Sequence, residues 1–182
     1  MKKTVILLIL FISIVFCKPG FCQDIKNRWA LGLDISYIFP QDIEYKDTFS
    51  YPGRINLSFG INNNLAIELE VGTYSLKSKW DSKTRIYTFL TNLELRTKPG
   101  KIVPYALFGI GAAFFSYDDL HPTERKDKSA SYAYKGGVGI EYFLTENWAV
   151  NLEAVHFYAN TGGKATLDVY SYQYSTGLKY YF

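Results

Sequence analysis

Glu68 and Glu70 stand two residues apart in an alternating segment, so an extended backbone puts both carboxylates on one face. Paired carboxylates are the equipment of glycoside hydrolysis, in which one acts as acid and the other as base or nucleophile. With no cleft for a sugar beside them, the preferred reading is a buried ion network. A second cluster, Asp118, Asp119, His121, Glu124 and Asp127, carries donors suited to a divalent cation. Its spacing matches no recognised metal site, and Arg125, Lys126 and Lys128 are interleaved with it, so a solvated mixed-charge loop is expected. No glycine loop is spaced to cradle phosphate, and neither cofactor nor metal is expected.

Both cysteines, Cys17 and Cys22, fall in the N-terminal stretch, where Lys2 and Lys3 precede an apolar run from Val5 to Phe16. Charge, then grease, then small residues is the order of a secretory signal peptide. The run is too short for a bilayer-spanning helix, which needs roughly 20 residues. Cleavage after Cys22 is expected, leaving residues 23–182 as one domain without a thiol for catalysis, a disulfide or a metal. The leader would also take Lys2, Lys3 and Lys18 from the 20 basic residues, against 17 acidic ones. That removes the basic bias and any compositional case for nucleic acid.

The remaining chain shows no helical stripe. It shows eight period-two segments, over 29–39, 54–61, 65–72, 87–96, 104–116, 135–142, 148–154 and 170–182. In the first, Trp29, Leu31, Leu33, Ile35, Tyr37 and Phe39 oppose Ala30, Gly32, Asp34 and Ser36. In the last, Tyr170, Tyr172, Tyr174, Thr176, Leu178, Tyr180 and Phe182 oppose Ser171, Gln173, Ser175, Gly177 and Lys179. Three connections are short (62–64, 97–102, 145–147) and four are longer (40–52, 77–83, 117–129, 160–169), and the two kinds alternate along the chain. Tight turns at one end and larger loops at the other are what an up-and-down barrel in a membrane produces. The 16 Tyr and 13 Phe residues suit its two interfaces better than a soluble core.

Closure follows from apolar side chains facing lipid, because a strand there must pair every backbone N–H and C=O, and only a closed sheet has no edge. The fold expected is therefore all-β, an eight-stranded antiparallel up-and-down transmembrane β-barrel. Eight strands leave an interior just wide enough for side chains. Asp34, Arg54, Glu68, Glu70, Glu94, Arg96, Lys135, Glu141, Glu153 and Lys179 should meet there as a paired network that fills the lumen. The competing architecture is a soluble lipocalin-like barrel, apolar inside and polar outside.

The segment from Ser175 to Phe182, with Ser175, Gly177, Tyr180 and Phe182 at the defining positions, resembles the C-terminal assembly signal of outer-membrane barrels. The stretch from Lys135 to Trp148, and Pro104 and Tyr105 followed by Gly109 and Gly111, are similar to small eight-stranded outer-membrane proteins of the OmpA/OmpW-like kind. The resemblance implies the bacterial outer membrane as destination, the barrel-assembly machinery as partner during biogenesis, and outer-membrane lipid and lipopolysaccharide as surroundings. The basic residues of the 117–128 loop would attract lipopolysaccharide phosphates, an effect that salt screens.

A weaker resemblance, to lipid A 3-O-deacylases, touches the end of the seventh segment. In that family a His and a Ser two residues on share a face, followed by Asn, with an acidic residue further along. His156, Asn160 and Asp168 would fill three of those roles. The nucleophile position holds Tyr158, a phenol titrating near pH 10 that cannot stand in for an activated serine. Three readings stay open: a non-enzymatic barrel with a structural or surface-binding role, an altered lipid A ester hydrolase, and a narrow channel for small hydrophobic molecules. The first is preferred, with His156 and Tyr158 as members of an aromatic girdle.

Overall fold

In the computed structural model, residues 24–41, 45–46, 48–78, 83–118, 129–160 and 168–182 are described. The leader expected over residues 1–22 lies outside them, as do Asp119, His121, Glu124, Arg125, Lys126, Asp127 and Lys128 of the mixed-charge loop. Alternation of apolar and polar residues gives strands β1 (Trp29–Pro40), β2 (Tyr45–Lys46), β3 (Thr48–Asn62), β4 (Leu65–Ser78) and β5 (Lys83–Arg96). It continues through β6 (Ile102–Asp118), β7 (Ser129–Phe143), β8 (Trp148–Asn160) and β9 (Asp168–Tyr181), with no helix among the described residues. Eight of these, all but the two-residue β2, pair antiparallel in the order β4, β3, β1, β9, β8, β7, β6, β5, and β4 pairs with β5 to close the barrel. A row of paired residues followed once around the wall leaves β9 at Tyr170 and returns to it at Tyr180, ten residues along. That offset is the shear, and with eight strands it tilts them by roughly 35–45° to the barrel axis.

The eight segments are all strands, but most run further than their alternation suggests. β3 begins at Thr48, so the 40–52 connection is shorter than expected, and β2 forms within it and pairs with Lys77 and Ser78 of β4. β6 and β7 likewise extend to Asp118 and from Ser129. Hydrophobic alternation reports only the part of a strand in lipid, whereas backbone pairing continues above it into polar sequence. Pro52 and Gly53 sit where the β1–β3 register jumps from Asp34↔Arg54 to Ser36↔Ser50. A bulge is where a proline, with no N–H to give the ladder, is tolerated inside a strand.

Short turns join β3 to β4, β5 to β6 and β7 to β8 at the end where β1 starts and β9 finishes. Their side chains satisfy the backbone: Asn62 Oδ1 accepts the Asn64 N–H at 2.8 Å, and Thr145 Oγ1 accepts those of Asn147 and Trp148 at 3.2 and 3.0 Å.

The two faces of the wall settle which barrel this is. Leu33, Ile110 and Leu152 are exposed by 58, 58 and 59 %, while Glu70, Lys135 and Glu141 are wholly buried. Apolar residues outside and charges inside invert a soluble barrel, and the lipocalin-like architecture is excluded. Leu152→Arg, halfway along β8 on the outer face, should therefore cost about 2–4 kcal/mol, as an arginine near a bilayer midplane does. Urea titration of the protein refolded into lipid vesicles measures it; a change within about 0.5 kcal/mol, ordinary for a water-facing site, would contradict a lipid-facing Leu152.

Candidate functional site

The ten charges expected inside all point into the lumen, and each is at most 7 % exposed. They form two groups. In the outer one, Arg54 meets Asp34 at 3.0 Å, Glu70 at 3.4 Å and Glu153, and donates to Ser175 Oγ at 2.6 Å; Lys135 pairs with Glu70 and lies 3.8 Å from Glu153. In the inner one, Lys179 lies 3.0, 2.9 and 3.7 Å from Glu68, Glu94 and Glu141, and Arg96 pairs with Glu94 at 2.9 Å and with Glu141. Asn92 joins the groups by donating to Glu68 Oε1 at 2.9 Å and Glu70 Oε2 at 3.2 Å. Glu68 and Glu70 are thus engaged by cations and an amide.

Glycines make room for this network. Asn56 lies over Gly32, Asn92 over Gly109, Tyr105 over Gly139 and Asp34 over Gly177, and each pair is directly opposed on neighbouring strands. A Cβ at any of these glycines would overlap the polar side chain crossing it. Tyr105 uses the space over Gly139 to donate to Glu153 Oε2 at 3.2 Å. The expectation that Gly109 and Gly111 share a crowded inner face holds for both.

Two apolar layers flank the charges. Outward of the charges, Ile38, Tyr74, Ile86, Leu90, Phe115 and Phe157 pack across the lumen. At the opposite mouth, Val103, Phe143 and Tyr181 close over Ile25, which is carried in by the segment preceding β1. Asn63 Oδ1 accepts the Ile25 N–H at 3.2 Å, Asn27 takes a positive φ of 60°, and Arg28 donates to the carbonyls of Glu146 and Tyr181, both at 3.0 Å. The outer layer was readable by parity: the inner positions of β8 pass from Glu153 to Val155 and Phe157.

On the outside, His156 and Tyr158 share the face that strand geometry assigns them. Tyr158 is nonetheless only 7 % exposed, because Tyr134 and Tyr170 stand 4.7 Å from its ring and Tyr132 6.3 Å. His156 packs against Tyr172 at 5.3 Å and Tyr170 at 6.2 Å. Asn160 donates to the Tyr158 hydroxyl at 3.4 Å. In register, His156 faces Tyr172 whereas Asn160 faces Asp168. The backbone of Asp168 is therefore four residues, about 13 Å, along β9 from the residue opposite His156. An aromatic girdle is assembled here, with His156 and Asp168 spaced apart. A second girdle rings the other end, where Trp29 meets Phe59 at 4.9 Å and Trp148 meets Tyr180 at 4.8 Å.

The residues of the expected assembly signal divide by face. Ser175 and Gly177 look inward, and Tyr180 and Phe182 look out. Tyr180 stacks on Phe182 at 6.3 Å, and the Phe182 N–H donates to the Trp29 carbonyl at 3.0 Å.

Solved structures resemble this barrel over nearly its whole length at low identity. Neisserial surface protein A is 19 % identical with a TM-score of 0.64, the match covering 85 % of this chain and 96 % of that one. The N-terminal β-barrel domain of Pseudomonas aeruginosa OprF is 13 % identical with a TM-score of 0.57, covering 88 % and 100 %. The outer membrane protein OprG of Pseudomonas aeruginosa is 14 % identical with a TM-score of 0.54, covering 90 % and 99 %. A comparison with curated protein sequences found no match. The family model of the outer membrane protein beta-barrel domain matches residues 8–182, and with apolar residues outside a closed eight-stranded wall the chain belongs to that outer-membrane family.

Proposed function

We propose that the protein is a non-enzymatic outer-membrane barrel that binds outer-leaflet lipid, lipopolysaccharide included, on its outer surface. The observation that carries this is the face of Tyr132, Tyr134, His156, Tyr158, Tyr170 and Tyr172 across β7, β8 and β9. Amphipathic rings with hydroxyl tips suit the headgroup level, where one side is apolar and the other wet. A lumen filled by ion pairs between two apolar layers favours this role over a channel. The matching test is retention of rough lipopolysaccharide by the purified protein, with phosphatidylethanolamine vesicles as the comparison; equal retention of both lipids would count against selective binding.

The tyrosine at position 158, and a register that sets the backbone of Asp168 four residues from the partner of His156, favour this reading over a hydrolase. Overexpression should leave the lipid A mass spectrum unchanged, and His156→Ala should change nothing further. Release of a 3-linked acyl chain that disappears in His156→Ala would replace the proposal with an esterase.

A further inference from the structure

Seven of the barrel's eight seams join strands consecutive in the wall and in the chain, so a turn or loop constrains their register. The β1–β9 seam is different: it joins the first strand to the last, and no turn links them. Its register decides the shear, since a slip of two residues there would change an offset of ten to eight or twelve. A slip of one is excluded at once, because it would turn the inward Lys179 of β9, with Ser171, Gln173 and Ser175, to the lipid. A slip of two keeps the faces and must be refused by something else.

Backbone hydrogen bonds cannot refuse it, because they recur every two residues. Arg28 adds little more: it donates to the Tyr181 carbonyl, which recurs with the ladder, and its guanidinium lies over the Tyr181 ring at 5.7 Å, a contact at the very end of the seam. Side chains can. Asp34 faces Gly177, the one glycine in β9, and its carboxylate lies in the space a Cβ would fill. From there it meets Arg54 at 3.0 Å and accepts from Asn56 at 2.8 Å and Asn151 at 3.0 Å, gathering β3 and β8 around the seam. After a slip of two, Asp34 would face Ser175 or Lys179, each with a side chain in that space.

We propose that Asp34 seated over Gly177 sets the register, and with it the shear, at the seam where the barrel closes. Gly177 then serves the finished barrel as well as any recognition of the terminal strand during assembly.

The test reads register by cross-linking in the full chain, with Cys17 and Cys22 replaced by serine. Leu33→Cys with Leu178→Cys reports the native register, since these outward residues are paired. Leu33→Cys with Thr176→Cys, or with Tyr180→Cys, reports the two slips. With Asp34 present only the native pair should form a disulfide in the inserted protein. Asp34→Ala should lower the native cross-link and raise a slipped one, and Asp34→Asn, which keeps the shape over Gly177, should restore the native pattern. If Asp34→Ala fails to insert while Asp34→Asn inserts in native register, the side chain is needed for closure and the proposal stands. Native-only cross-linking in Asp34→Ala, or failure of both variants to insert, overturns it.

Discussion

Arg54→Ala should remove about 3–5 kcal/mol of stability, the usual cost of taking one partner from a buried ion pair. Arg54 serves Asp34, Glu70 and Glu153 together, and Lys135 reaches only the last two. Around the lumen six carboxylates, Asp34, Glu68, Glu70, Glu94, Glu141 and Glu153, face four cations, Arg54, Arg96, Lys135 and Lys179. Loss of a cation therefore worsens an existing excess of negative charge, whereas loss of a carboxylate charge reduces it. Glu68→Gln should accordingly be much milder, since the amide oxygen can still accept the hydrogen bond from Asn92 and Lys179 keeps Glu94 and Glu141. Urea unfolding in vesicles, together with the gel mobility of unheated samples, checks both. Equal losses from the two variants would show that charge balance does not govern the layer.

Deletion of Phe182 should sharply lower the amount of protein inserted in the membrane while leaving the inserted fraction nearly as stable as the intact chain. In the finished barrel Phe182 does little: it is 61 % exposed, stacks loosely on Tyr180 and gives one backbone hydrogen bond to Trp29. Its expected importance lies earlier, when β9 has no partner and its outward aromatics would be presented to the assembly machinery. Comparing protease-protected yield in cells with unfolding in refolded vesicles separates the two stages. A deletion that inserts normally would deprive the assembly-signal assignment of Phe182. A deletion that inserts poorly and also unfolds easily would move the role of Phe182 from assembly to stability.

The inner network was legible residue by residue because a strand alternates strictly. Once Leu33 and Leu178 are assigned to lipid, Asp34 and Lys179 can only point inward. The strand ends were less legible. Thr48 to Gly53 and Ser129 to Tyr134 carry mixed side chains, and their strand structure comes from backbone pairing that leaves no hydrophobic signature. Ile25 carries no signal of its role, because a lone isoleucine before the first strand has no period. Its place in the barrel mouth depends on Asn63, Phe143 and Tyr181, far away in sequence. The candidate site was half legible: His156 and Tyr158 on one outer face follow from parity. That Tyr158 is covered by Tyr134 and Tyr170 follows only from register.

From sequence alone come the strand count, the inside and the outside of the wall, the alternation of short and long connections, and the chemical objection at Tyr158. All are local properties, set by a period of two and by the identity of single residues. Tertiary structure decided what depends on two strands lying side by side: the shear of ten, the glycines over which Asn56, Asn92, Tyr105 and Asp34 lie, and the two apolar layers enclosing the charges. It also set the distance between His156 and Asp168. Period two assigns a side chain to a face but not to a height. Height is set by register, and at the closing seam register depends on residues from opposite ends of the barrel sequence.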